Sequence, residues 1–260
     1  MNLFEEYTEH TKLFNKYVSV LKSRSDKDKL LELSESRKLS LDVINRHDIF
    51  YIKDMAEILV PEYLKHLKNF GVISNTNNKP IFHNRWIIPI KDSSGNIINL
   101  VGYSPDFHER YVYGTAKYYR RNDDMYGLEN THKAYECGYF IITEGITDAL
   151  AMRDIGYDMT MGMCGTSGSD HKMTVLNRAR YGVIKIHDRD KAGDKTKLVW
   201  VPNRSFDFIT PIMFKDSSET LSSGEEYKEW LKGCMQIAID WIKESEHKGR
   251  KCNCGSATMC

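Results

Sequence analysis

The sequence lacks any long run of apolar residues. Across its 260 residues no window approaches the roughly 18 apolar residues that a membrane-spanning helix needs. The N-terminus, Met1 to Glu6, carries acidic side chains and has no apolar core of the kind found in signal peptides. These absences predict a cytosolic protein that has no membrane partner.

The chain also lacks an excess of either charge. It has 37 Lys and Arg residues against 36 Asp and Glu residues, a net charge of +1. A nucleic-acid partner would therefore have to be held by a local basic patch and not by the field of the whole molecule. The hydrophobic content of 41% is ordinary for a globular protein and excludes a disordered chain.

Cysteine is absent from the first half of the chain, since the earliest is Cys137. Three of the six cysteines, Cys252, Cys254 and Cys260, lie together at the C-terminus, with His247 nearby. They lack the paired CxxC spacing of a zinc knuckle, so the pattern favours a mobile, reduced tail and leaves zinc binding open.

Helical periodicity dominates the N-terminal part. Apolar residues recur at helical spacing from Asn2 to about Lys22, which predicts an amphipathic helix. The charged run from Ser23 to Lys29 is typical of a solvated turn. Ser40 is suited to cap a short helix, and Pro61 is suited to the first turn of another that ends at Gly71.

The rest of the chain is predicted to contain two kinds of sheet. Two β-rich runs within Arg85 to Tyr103 flank the turn signal Asp92 to Asn96, which predicts a hairpin. Strand and helix patterns then alternate, which predicts a parallel sheet. The predicted order is strand 139–143, helix 149–155, strand 157–163, helix 167–180 and strand 182–186.

Acidic residues follow two of these apolar strands. Asp188 and Asp190 come directly after one and, being two apart in an extended segment, project to the same side. Glu144 and Asp148 follow the other and are four apart, so both face one crevice if a helix begins at once. Ligands of open α/β sheets bind beyond the carboxyl ends of the strands.

Clustered carboxylates repel one another unless a cation lies among them. Each acidic motif alone is more often a solvated surface feature than a metal site. The order of the two motifs, each at the end of an apolar strand, favours a metal site, and oxygen ligands favour Mg²⁺ or Mn²⁺ over zinc. From Glu109 to Arg121 basic and aromatic residues interleave, which fits a single-strand groove and a tyrosine-rich strand pair equally well.

The acidic motifs resemble those of a known domain. Glu144 to Leu150, "EGITDAL", resembles the first motif of the TOPRIM domain of bacterial-type primases, topoisomerases and some nucleases, and Asp188 to Gly193, "DRDKAG", resembles its second. The likeness extends upstream, where Arg37 to Ile52, Arg85 to Tyr103 and Ala116 to Glu129 are similar to the primase basic subdomain. Over residues 37–222 the chain resembles the catalytic core of bacterial-type, DnaG-like primases.

The resemblance implies an α/β fold in which a TOPRIM-type parallel sheet flanked by helices follows a mixed α+β basic subdomain with a helical N-terminal lead-in. The implied domains are an N-terminal helical segment (1–36), the basic subdomain (37–136), the TOPRIM domain (137–222), and a C-terminal helix with the cysteine tail (223–260).

The resemblance also implies roles for individual residues. Glu144, Asp188 and Asp190 would be catalytic and would bind Mg²⁺ or Mn²⁺, with Asp148 in support. The family usually has a third acidic motif, Asp-Pro-Asp, and the stretch loosely aligned with it here offers Asp216 and Glu219 as its carboxylates. The residues implied to contact nucleic acid or nucleotide are Arg85, Lys117, Arg120, Arg121 and Lys191.

The implied activity is that of a DNA primase, which makes short RNA primers from ribonucleoside triphosphates on single-stranded DNA, with a replicative helicase as a further partner. Two rival functions stay open: a TOPRIM-type metal-dependent nuclease, and a non-catalytic module that binds single strands. The family's N-terminal zinc ribbon and C-terminal helicase-binding domain do not fit in this chain, and a compact core without them suggests a virus-encoded protein of the host cytoplasm, as in a phage.

Overall fold

The computed structural model describes residues 2–164, 169–188, 205–209 and 216–247. The chain divides into two compact units, one up to Tyr119 and one from Arg120. The predicted domain ranges stay a prediction. The units divide at this point because a short strand at Met125–Tyr126 pairs with a strand of the second sheet.

The first unit contains a four-stranded antiparallel sheet. Its strands are β1 (Phe50–Ile52), β2 (Arg85–Lys91), β3 (Ile97–Tyr103) and β4 (Tyr111–Tyr113), in that spatial order. The predicted hairpin is confirmed as β2 and β3. The Asp92 N–H donates to the Asn96 carbonyl over 2.9 Å, and Gly95, with φ of 83°, supplies the left-handed turn conformation that glycine tolerates.

Three helices accompany this sheet: α1 (Leu3–Ser23), α2 (Lys27–Arg37) and α3 (Leu41–Arg46). The predicted first helix and the Ser40 cap of α3 are confirmed, since the Ser40 side chain accepts the Val43 N–H. The predicted turn over 23–29 is too long, because Asp26 caps α2 and starts it at Lys27.

The predicted helix after Pro61 is a 3-10 helix, Pro61–His66, followed by turns. None of its residues is buried, so it lacks the packing that normally stabilises an α-helix. The core of the first unit lies instead between α1 and the sheet, where Phe14, Tyr17 and Phe70 stack.

The second unit contains a five-stranded sheet. Its strands are β5 (Met125–Tyr126), β6 (Tyr139–Thr143), β7 (Thr160–Met163), β8 (Gly182–His187) and β9 (Ser205–Ile209), in the spatial order β5-β7-β6-β8-β9. Strands β6 to β9 run parallel, as the alternating pattern predicts, and β5 pairs antiparallel with β7.

The described helices of this unit are α4 (Thr131–Cys137), α5 (Ile146–Asp154), α6 (Asp170–Leu176), α7 (Ser217–Ser222) and α8 (Glu225–His247), with a 3-10 turn at Leu128–Asn130. Helix α5 begins three residues before its predicted start at Ala149. Among the described helices, none combines the length and apolar character needed to cross a bilayer.

Candidate active site

The candidate site lies at the carboxyl edge of the parallel strands in the second unit. Thr143 of β6 is in register with Gly162 of β7 on one side and Ile186 of β8 on the other. The residues that follow these strands therefore emerge at one edge, about 4.8 Å apart from strand to strand. Glu144 follows β6, and Asp188 follows β8.

Glu144 and Asp188 are joined at this edge by a hydrogen bond. The Asp188 backbone N–H donates to Glu144 Oε1 over 3.1 Å. His187, at the end of β8, is 2% exposed, and its Nδ1 lies 3.5 Å from the same oxygen. The end of β8 therefore orients the Glu144 carboxylate. The contact between His187 and Glu144 could not be predicted from the alternation of side chains along the strand.

Two glycines bring the turn after β6 close to β7. The Thr143 hydroxyl donates to the Gly145 carbonyl over 2.9 Å. A Cβ atom added at Gly162 would lie 2.9 Å from that carbonyl oxygen, and one added at Gly145 would lie 2.5 Å from Asp148 Oδ2. Larger side chains at either position would displace the turn that holds Glu144.

Of the other predicted acidic residues, Asp148 on α5 and the N-cap residue Asp216 both contact the first turn of α7. Asp148 is buried, and its Oδ1 accepts the Ser218 N–H over 2.9 Å. Asp216 is the N-cap of α7, and its Oδ1 accepts the Glu219 N–H over 2.8 Å. These carboxylates satisfy backbone donors that have no partner within the helix.

The donors at the sheet edge suit a hard divalent cation. The described carboxylates there, Glu144 and Asp188, offer the oxygen ligands that Mg²⁺ and Mn²⁺ prefer. Asp190 and Lys191 lie outside the described residues, and within the described ones no group of three or more ligating side chains is assembled. The residues present therefore fit a metal site of which the described part supplies two carboxylates.

Two of the predicted basic residues, Arg85 and Lys117, belong to the first unit. Arg85 is buried and donates to the carbonyls of Arg110 (3.0 Å) and Glu109 (2.9 Å), with its guanidinium 4.7 Å from the Phe107 ring centre. It thus holds the chain just before β4.

Lys117 is half-exposed and pairs with the Glu6 carboxylate. Its ammonium also lies 5.2 Å from the Tyr118 ring centre.

Two further predicted basic residues, Arg120 and Arg121, begin the second unit. Arg120 is exposed, and its backbone N–H donates to Asp124 Oδ2 over 2.9 Å. Arg121 donates from Nε to the Cys164 carbonyl over 2.7 Å, directly after β7. The structure thus brings Arg121 to the edge that carries Glu144 and Asp188, a proximity that the sequence alone did not reveal.

A model of a protein family described as Toprim-like matches residues 141–199, the segment that contains Glu144 and Asp188. Among curated proteins, the DNA primase of Thermotoga maritima is 28% identical over 264 residues, covering 93% of this chain and 46% of that protein. The DNA primase of Borreliella burgdorferi is 28% identical over 181 residues, covering 67% and 33%. The chain spans less than half the length of these relatives.

Solved primase structures share the fold. A DnaG primase catalytic domain bound to single-stranded DNA superposes with a TM-score of 0.74 at 18% identity, covering 93% of this chain and 84% of that one. The Escherichia coli primase catalytic core gives 0.70 at 20% identity, covering 92% and 82%. The Aquifex aeolicus primase zinc-binding and RNA polymerase domains give 0.72 at 20%, covering 90% and 64%.

The fold and the site define an α/β protein with a Toprim-like sheet whose carboxyl edge carries Glu144 and Asp188. More narrowly, the chain has the fold of the DnaG primase catalytic core. The predicted fold class is thereby confirmed.

Proposed function

We propose that this chain is the catalytic core of a DNA primase, which joins ribonucleoside triphosphates into short RNA on single-stranded DNA. The observation that carries the proposal is the meeting of Glu144 and Asp188 at one sheet edge, in a chain with the primase-core fold. The primase relatives support it, since their similarity extends over 93% of this chain in one case.

The reaction is phosphoryl transfer, in which the 3′-hydroxyl of one nucleotide attacks the α-phosphorus of the next and pyrophosphate leaves. Glu144, Asp188 and Asp190 would hold Mg²⁺ or Mn²⁺, which when bound neutralises phosphate charge and acidifies the attacking hydroxyl. The described contribution of the protein is rigidity: the Asp188 N–H bond orients Glu144 before any ligand arrives.

The substrates are recognised by the basic residues. We assign single-stranded DNA and triphosphate contacts to Lys117, Arg120 and Lys191, whereas the guanidinium of Arg85 acts by holding the chain before β4. One structural relative is a primase domain bound to single-stranded DNA, which supports this choice of template. A helicase partner, a phage origin and a cytosolic location stay predictions.

Carboxylate variants test the proposal. With single-stranded DNA, labelled ribonucleotides and Mg²⁺ or Mn²⁺, we expect short RNA from the wild type. Glu144→Gln and Asp188→Asn should lower the rate of RNA synthesis on the order of 100-fold or more. Each removes a carboxylate that would hold the cation, and the cation neutralises the negative charge of the transition state. DNA binding, measured by fluorescence anisotropy, should persist in both.

The matched control is Glu136→Gln, which neutralises an exposed carboxylate on α4 of the same unit and should leave synthesis unchanged. Full synthesis by either site variant would refute the role of that carboxylate. DNA binding by the wild type without RNA synthesis, repeated with a replicative helicase present, would favour the non-catalytic module instead.

A further inference from the structure

Helix α6 carries a lysine whose ammonium group is buried. Lys172 is 0% exposed, and among the described residues its Nζ has neither a hydrogen-bond partner nor an ion-pair partner. Burying an ammonium group without a partner costs several kcal/mol in general, so such groups normally occur where an anion binds or where the amine is neutral.

The surroundings of Lys172 carry charges of both signs. Burial lowers the pKa of Lys172, whereas Cys164, Asp124 and Asp123 act in the opposite direction and Arg121 adds to the lowering. The nearby carboxylate of Asp124 already accepts the Arg120 backbone N–H. Negative groups therefore lie near the Lys172 ammonium, but among the described residues none forms a hydrogen bond or an ion pair with it.

Lys172 is the third residue of α6, next to His171, whose Nδ1 lies 3.1 Å from the Asp123 carbonyl oxygen, so α6 begins beside the segment that carries Arg121. The Arg121 guanidinium donates to the carbonyl of Cys164, the residue that follows β7. Strand β7 is the immediate neighbour of β6, which leads to Glu144, and β8 on the far side of β6 leads to Asp188. The same sheet edge thus has an acidic side and, one strand away, a basic side.

We propose that Lys172 and Arg121 form a phosphate subsite beside the carboxylates. Its ligand is a phosphate oxyanion, supplied either by the triphosphate of a nucleotide or by the backbone of the bound strand. The proposal rests on the proposed function, since a nucleotide held by the carboxylates would extend its phosphates along this edge. Phosphate oxygens would give the buried ammonium the partner that the described residues do not supply.

Anion binding by the full chain tests the subsite without relying on catalysis. Tripolyphosphate and a single-stranded oligonucleotide are titrated separately into wild type and Lys172→Met, a substitution that keeps the volume and removes the charge. We expect affinity for tripolyphosphate to fall about tenfold in the variant, because a charge-assisted hydrogen bond is lost. A loss confined to the oligonucleotide would also support the subsite and would assign it to backbone phosphate.

The control is Lys133→Met, which removes a lysine of the same unit that pairs with Asp158 over 2.7 Å, before the amino end of β7. It should bind both ligands as the wild type does. If Lys172→Met does not fold, as judged by thermal unfolding, Arg121→Gln at an exposed position repeats the test.

Unchanged affinity for both ligands, in Lys172→Met or in its substitute Arg121→Gln, would overturn the proposal. A weakening of the same size in Lys133→Met would also overturn it, because the effect would then be one of general charge. A wild type that binds tripolyphosphate through Lys172 but makes no RNA would contradict the primase function alone.

Discussion

Lys117, which is predicted to contact nucleic acid or nucleotide, pairs with a carboxylate of its own chain. Its partner is Glu6 in the first turn of α1, 111 positions earlier in the sequence. The ammonium group lowers the pKa of Glu6, so the carboxylate is ionised at neutral pH. A phosphate that binds Lys117 must displace this carboxylate or share the lysine with it.

Removal of Glu6 should therefore strengthen DNA binding. We expect Glu6→Gln to raise affinity for a single-stranded oligonucleotide by up to about fivefold at low salt, the range expected for an exposed ion pair. The gain should shrink as salt is added, because exposed charges are screened. Fluorescence anisotropy at two ionic strengths provides the measurement.

The control for this prediction is Glu9→Gln, which removes an exposed carboxylate one turn further along α1. It should have a smaller effect than Glu6→Gln, since Glu9 has no described ion pair with Lys117. Equal gains from both variants would mean that net charge, and not the contact with Lys117, governs binding.

Asp148 connects two elements of the second unit. It lies on α5, and its buried carboxylate accepts a backbone N–H of α7, which Asp216 also caps. The described contacts therefore support a role in positioning α7. The predicted metal-binding role of Asp148 stays a prediction.

Two substitutions of Asp148 separate these roles. We expect Asp148→Ala to lower the free energy of unfolding by about 1–3 kcal/mol, because a buried N–H loses its acceptor. Asp148→Asn should retain most of the stability and of the primer synthesis, because an amide oxygen accepts the same N–H. Denaturant unfolding and the synthesis assay provide the two measurements.

Asp240→Ala on the exposed face of α8 is the matched control and should change stability by less than about 0.5 kcal/mol. Stable Asp148→Asn protein that makes no RNA would contradict the positioning role and would favour metal binding.

The elements that follow from local pattern were predictable. The hairpin at Arg85–Tyr103 is marked by its turn residues, and the parallel strands by alternation with helices. The 3-10 helix after Pro61 was not predictable, because its form depends on the absence of buried residues in that segment. The early start of α5 coincides with Gly145 as its N-cap, a residue that leaves room for the Asp148 side chain in the first turn.

The candidate site also contains some residues that could be predicted from the sequence and others that could not. Glu144 and Asp188 were predictable as neighbours because the ends of parallel strands meet at one edge. Lys172 and Gly162 carry no signal in sequence, since a buried lysine and a glycine in close contact are recognised only from what surrounds them. Asp190 and Lys191 lie outside the described residues, so their placement stays a prediction.

At the scale of the whole molecule, the two units hold different parts of the proposed chemistry. The first contains the antiparallel sheet with Arg85 and Lys117, and the second contains the parallel sheet with Glu144 and Asp188. The same fold occurs in solved primase cores over about nine tenths of this chain.

We propose that this chain polymerises ribonucleotides and does not cut its template. The most direct test follows both strands in one reaction, with labelled ribonucleoside triphosphates and an end-labelled single-stranded DNA template in Mg²⁺ or Mn²⁺. We predict that short RNA accumulates while the template keeps its length, and that chelation of the metal stops synthesis. Shortening of the template without any RNA product would contradict the proposed primer synthesis and would identify a nuclease.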